Sequence, residues 1–288
     1  MKAVFRHELS SYFSNMTAYV FGAFLLLFAG VYTMVYNLKN AITNFEYVPG
    51  AMAFAFLVIV PILTMRVLAE ERRQKTDQLL YSLPLTMTQV VLGKFTALLV
   101  VLLIPTAIIG LYPLILRMFG NVYLPVAYSA LCGFLFLGAA LIAIGMFISS
   151  ITESQAVAAG ICFAVMLLNY FLADLAGYLS TTAFASLTGI MILIAVFAVI
   201  VYWMTRNGIA AGVLCLLLET GTVILFTKNS TLFEGLLPEM ITKLSLFEQF
   251  YVFIDGIFDI RSIVYFISMI AVFLFLSVQS MEKRRWSE

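Results

Sequence analysis

Charge interrupts this chain so rarely that eight stretches run for about 20 residues or more, the length a helix needs to cross the hydrocarbon of a bilayer. They lie near 18–37, 50–69, 91–116, 125–149, 154–175, 184–205, 208–227 and 261–281. Lipid offers backbone N–H and C=O groups no partners, so single runs of this kind are confined to helices, which satisfy those groups internally. Hydrophobic residues make up 63% of the 288 and charged residues 11%, with a mean hydropathy of +1.06. A soluble domain is about one-quarter charged, which excludes an ordinary soluble globular fold. The expected fold is therefore all-α and polytopic. Only Thr205-Arg206-Asn207 divides 184–205 from 208–227. That pair is either two spans or a packed hairpin that does not fully cross, so the expected count is about six to eight, with eight preferred.

Sidedness follows from lysine and arginine. An inside N-terminus places Lys2, Arg6, Arg66, Arg72, Arg73, Lys75, Lys94, Arg206, Lys283, Arg284 and Arg285 in the cytoplasm. Lys39, Arg117, Lys228, Lys243 and Arg261 are left outside. The split favours cytoplasmic termini, and an even span count agrees. Ahead of the first span, Phe5, Leu9, Tyr12, Phe13 and Met16 recur on one helical face. Residues 1–17 are thus expected to form an amphipathic helix on the inner membrane surface.

Much of the charge is packed into one segment, Arg66 to Phe95. Glu70 precedes Arg73 by three and Glu71 precedes Lys75 by four, pairings that support an exposed helical turn. Leu79, Leu80 and Leu83 add an apolar edge, and Pro84 ends or kinks the helix. Composition and spacing give a short amphipathic helix over 70–84 between two spans.

The order of residues adds more. Glu70-Glu71-Arg72-Arg73, Thr76, Leu79-Leu80, Ser82-x-Pro84 and Val91-Leu92-Gly93-Lys94-Phe95 resemble the first cytoplasmic loop of ABC-2 type permeases. Lys75 departs from the pattern, standing where Gly is expected. Ser149-Ser150-x-Thr152-Glu153-x-Gln155 resembles the second cytoplasmic turn of that family, although Thr152 as a cap and Glu153 in a first turn also have a purely local role. Phe247-Glu248-Gln249-Phe250 through Gly256, Asp259, Arg261, Val264-Tyr265-Phe266 and Glu282-x-Arg284-Arg285-Trp286 is most similar to the gliding-motility branch.

The resemblance implies one transmembrane permease domain over 1–288, of the type V exporter kind, in the bacterial inner membrane. It implies a coupling helix at 70–84, and a separate cytosolic ABC ATPase that docks on Glu70, Glu71, Arg72, Arg73, Thr76, Leu79, Leu80, Pro84 and Glu153. ATP and magnesium would belong to that ATPase. A second permease, identical or related, would complete the pathway, and an extracytoplasmic accessory protein would be a further partner beside membrane lipid. Residues 229–260 hold an amphipathic stripe of Leu236, Leu237, Met240, Ile241, Leu244 and Phe247, continued by Phe250, Tyr251, Phe253, Ile257 and Phe258. That stripe is expected to rest on the outer membrane surface.

Little in the chain suggests catalysis. Gly93-Lys94 lacks the spacing of a phosphate-binding loop, and one histidine, His7, cannot furnish a nucleophilic triad or a metal cluster. Cys132, Cys162 and Cys215 lie in apolar runs and read as small buried hydrophobes. No nucleic-acid partner is expected. Glu219, inside an apolar run, is a candidate for the substrate pathway because a carboxylate in lipid is costly unless used or paired. Asn169 and Asp174 have a weaker claim. The apolar wall points to a hydrophobic or amphiphilic substrate. The alternatives are an ATP-independent carrier or scramblase centred on Glu219, and a membrane scaffold for extracytoplasmic proteins.

Overall fold

The computed structural model describes residues 1–74, 86–205 and 208–287, and their regular secondary structure is entirely helical. In chain order, α1 is Lys2–Ser14 and α2 is Thr17–Thr33, extended by a π-helical turn over Met34–Lys39. Met16, with φ of 57°, makes the left-handed corner between α1 and α2. A single apolar rod follows, built from α3 (Tyr47–Met52), a 3₁₀ turn at Ala53–Ala55 and α4 (Phe56–Thr64), and it leads to α5 (Ala69–Arg73). Then come α6 (Met87–Ile109), α7 (Tyr112–Arg117), α8 (Leu124–Ile151) and α9 (Gln155–Tyr170). The last part of the chain holds α10 (Leu172–Gly177), α11 (Ala183–Thr205), α12 (Gly208–Lys228), α13 (Leu236–Leu244), α14 (Leu246–Ile254) and α15 (Ile260–Ser287).

Among the described residues five helical stretches are long and apolar enough to cross a bilayer: Thr17–Lys39, Tyr47–Arg73, Met87–Arg117, Leu124–Ile151 and Ile260–Arg284. A sixth is reached if Gly212–Lys228 and Ser230–Leu244, bent by 119°, count together. These correspond to the first four and the last of the expected runs. Of the other expected runs, 184–205 forms the 23-residue α11, and two show local interruptions. The run 154–175 breaks at Phe171, leaving the 16-residue α9, about 24 Å long at the helical rise. In 208–227 the Glu219-Thr220-Gly221-Thr222 string dilutes the apolar character.

The chain divides into two compact units, residues 1–170 with 249–288, and residues 171–248. In the first, α8 is the centre. It packs on α3, α4, α6, α9 and α15, and 78% of its apolar window is buried, against 28% for the windows in α2 and α15. Small residues make this possible, as membrane helices lacking a hydrophobic drive associate through close backbone approach. A β-carbon on Gly133 would fall 2.8 Å from Phe253 Cβ, and one on Gly138 would fall 2.7 Å from Leu102 Cδ2. One on Gly145 would fall 2.8 Å from Thr64 Cβ. Three glycines thus admit three neighbours. Phe250 and Phe253, expected on the membrane surface, are fully buried in this unit, with Phe250 edge-on to Phe134 on α8.

In the second unit α11 packs on α12 and α13, and α10 packs on α13. Leu237 is buried over Gly189, whereas Met240 and Leu244 are exposed. The stripe expected along α13 is therefore divided between a protein-facing and an open side.

The nature of each glycine contact sets its tolerance. At Gly138 the contacts are the side-chain tips of Leu102 and Phe56, whereas Thr64 Cβ at Gly145 is fixed to backbone. Gly145→Ala should cost about 1–3 kcal/mol as overpacking and lower the melting temperature in detergent by several degrees. Gly138→Ala should cost less. Gly160→Ala, with nothing within 4 Å, should leave the transition in place. Equal melting of all three, followed by size-exclusion recovery after heating, would refute this ranking.

Candidate functional site

The second span ends where its helix breaks and restarts. After Thr64 the chain turns through residues 65–68, Leu68 leaves the helical region at φ −125°, and α5 begins. No side chain of its own caps α5. Ser149, fully buried on α8, does so from across the bundle. Its Oγ accepts from the backbone N–H of Leu68 and of Ala69, each at 3.1 Å, and donates to Met65 C=O at 3.4 Å. The first free amides of a helix are thereby satisfied by a neighbour. Glu70 and Glu71 occupy the first turn of α5 and Arg72 and Arg73 the last, the order that the helix dipole favours.

Of the residues expected to pair here, Lys75 lies outside the described residues. Glu70 accepts from the Gln74 amide at 3.2 Å. Glu71 reaches Lys94 on α6 at 2.7 Å, and Lys94 also holds Glu8 on α1 at 2.7 Å. The Lys94 side chain is 2% exposed. Next to it Gly93 lets α1 lie close, since a β-carbon there would sit 3.0 Å from Val4 Cγ1 and 3.4 Å from the Phe5 nitrogen. Gly93 and Lys94 thus work as a pair, one admitting α1 and the other binding it. The half-buried face of α1 is Val4, Phe5, Glu8, Leu9 and Tyr12. Burial, then the charges of Glu8, Glu71 and Glu70, push the Tyr12 phenol far above its ordinary value of 10.0. Because the folded state holds this proton more tightly, its contribution is constant at neutral pH and is lost only in strong alkali.

The other short turn lies at the same end of this unit. Thr152 Oγ1 donates back to Ile148 C=O at 3.1 Å, closing α8 rather than capping α9. Glu153, whose side chain is 70% exposed, pairs with Arg284 of α15 at 3.0 Å, and Ser280 donates to Ser150 C=O at 3.2 Å. Glu8, Glu71, Ser149, Glu153 and Arg284 therefore gather α1, α5, the α8–α9 turn and the end of α15 at one end of the first unit. Thr76, Leu79, Leu80 and Pro84 lie outside the described residues.

The three pathway candidates do not fall in one unit. Asn169, half-buried on α9, belongs to the first unit; Asp174 and Glu219 belong to the second. Asp174 is exposed on α10, while Glu219 is half-buried on α12 and accepts from Cys215 Sγ at 3.5 Å. Lys94, Glu8 and Ser149 were the residues missed as a site. Lys94 did carry a signal, a charge bordering an apolar run, which in lipid calls for a partner.

Breaking a buried ion pair by removing one partner costs about 3–5 kcal/mol. Lys94→Met leaves two carboxylates without their shared cation and should release α1. Hydrogen exchange should rise several-fold at the amides of residues 5–14 and 70–74, with a smaller rise for Glu8→Gln, which keeps the Glu71 pair. Unchanged exchange at residues 5–14 in Lys94→Met would show that α1 is held by its apolar contacts alone.

The family model described as ABC-2 family transporter protein matches residues 7–285. No curated protein matches the chain significantly, and no solved structure does. A match over nearly the whole length, on a chain whose described residues are helical and include five or six stretches fit to cross a bilayer, shows that this protein belongs to the ABC-2 transporter family.

Proposed function

We propose that the chain is the membrane-spanning permease subunit of an ABC exporter. It would move a hydrophobic or amphiphilic substrate across the bacterial inner membrane, with ATP hydrolysed by a separate cytosolic ATPase. Family membership supports the permease role, and one structural observation carries the coupling. α5 is anchored on three sides, by Ser149 from α8, by Lys94 from α6 and, through Lys94, by Glu8 from α1. A force applied to so short a helix cannot be absorbed by local fraying. It passes to the ends of the spans.

In this reading the ATPase docks on α5 and the segment after it, using Glu70, Glu71, Arg72, Arg73, Thr76, Leu79, Leu80 and Pro84. Glu153 and Arg284 form the neighbouring edge. Nucleotide and magnesium belong to the partner. The end that gathers α1, α5 and α15 faces the cytoplasm, with both termini on that side. A second permease, the same or related, completes the pathway, an extracytoplasmic accessory protein is a further partner, and Glu219, Asn169 and Asp174 are candidates for contact with substrate.

The test is recovery of the chain from its native membranes in mild detergent, with mass spectrometry of what accompanies it. A protein with a Walker A motif should co-purify with the wild type. It should fall by tenfold or more when Arg72, Leu79 and Leu80 are all changed to Ala. Recovery of no such ATPase with either form would rule the permease reading out.

A further inference from the structure

Two cavities of opposite polarity meet beside α1 and share Asn15, Thr17, Leu63 and Arg66. The first, about 250 Å³, is a groove between α2 and α4 with Val20, Phe24, Val58 and Ile62 in its walls. Val20 is 67% exposed and Ile62 53%, so in a bilayer this groove opens to acyl chains. The second, about 560 Å³, is polar and is lined by Glu8, Tyr12, Glu70, Glu71 and Lys94. An apolar groove running into a polar chamber has the form of an amphiphile, with its tail in one and its head in the other.

Charge narrows the class. Arg66 stands where the cavities join, is exposed, and makes no ion pair among the described residues. Lys94 is already held by Glu8 and Glu71. Glu70 has only the neutral Gln74 amide as a side-chain partner among the described residues. Around the chamber three carboxylates face two cations, so one negative charge is in excess. No three His, Cys, Asp or Glu side chains among the described residues are placed to hold a metal ion. A free guanidinium for an anion beside a free carboxylate for a cation matches a zwitterion, as charge-assisted hydrogen bonds to both would form at once.

We propose that this composite cavity binds a zwitterionic glycerophospholipid with a primary-amine headgroup, drawn from the leaflet on the α1 side. One acyl chain lies along the groove, the phosphate sits on Arg66, and the ammonium sits on Glu70. The lipid bridges α1, α2, α4 and α5 at the corner made by Met16. It thereby adds a lipid-dependent contact to the anchoring of α5, a role that stands whether or not the chain exports a substrate.

The test is native mass spectrometry of the delipidated full chain with an equimolar mixture of phosphatidylethanolamine and phosphatidylglycerol carrying the same acyl chains. A single phosphatidylethanolamine adduct should exceed the phosphatidylglycerol adduct by about tenfold. Arg66→Gln, which removes the phosphate partner, and Val20→Trp, which fills the groove, should each cut it by about tenfold, the scale of one charge-assisted contact. Both positions are exposed, so neither change disturbs the core. Lys39→Gln, at the far end of α2, should leave the adduct unchanged. Equal adducts of the two lipids, or a phosphatidylethanolamine adduct that survives both Arg66→Gln and Val20→Trp, would overturn the proposal.

Discussion

A lysine taken almost wholly out of water must be paid for by its partners, and Lys94 has two, Glu8 and Glu71. Each carboxylate comes from a different helix, and neither helix is secured by a long buried face of its own. α1 has no fully buried residue, and α5 has only Ala69. The rest of the site depends on this bridge. It fixes α1 against α6, positions the acidic turn of α5, and sets the excess negative charge that surrounds the neighbouring chamber. The pair of carboxylates also decides which way the balance runs. A single partner would leave Lys94 marginal against its desolvation penalty, while two give it two charge-assisted contacts.

The second dependence is steric. α8 can touch α4, α6 and α14 because glycine stands at each crossing, and the same close approach brings Ser149 within reach of the α5 amides. Packing and capping are therefore one arrangement. If α8 moved out by the width of a methyl group at Gly145, Ser149 would lose its 3.1 Å contacts, and α5 would lose its only cap among the described residues.

The helical class, five of the spans and the position of α5 were legible because hydropathy and charge are local properties of the sequence. The family resemblance drawn from Glu70 to Phe95 agreed with the match over the whole chain, although the gliding-motility branch found no support beyond the residues that suggested it. What could not be read was partner choice. Glu71 meets Lys94, 23 residues on, because α6 passes beside α5. Thr152 has the composition of a cap but closes the helix before it. Phe250 and Phe253 have the look of a membrane-surface stripe, and only the Gly133 crossing shows that they belong to the core. The break at Phe171 likewise has no strong helix-breaking residue to announce it.

The claim that α1, α5 and α6 move as one body through Lys94 is tested most directly by reversing the charges. Lys94→Glu should abolish stimulation of the proposed partner ATPase in proteoliposomes, since three carboxylates would then face one another. Adding Glu8→Lys and Glu71→Lys to that variant restores opposite signs at 2.7 Å pair geometry, and at least a substantial part of the stimulation should return. Stimulation that persists in Lys94→Glu alone would contradict the bridge as the mechanical link between the ATPase and the spans.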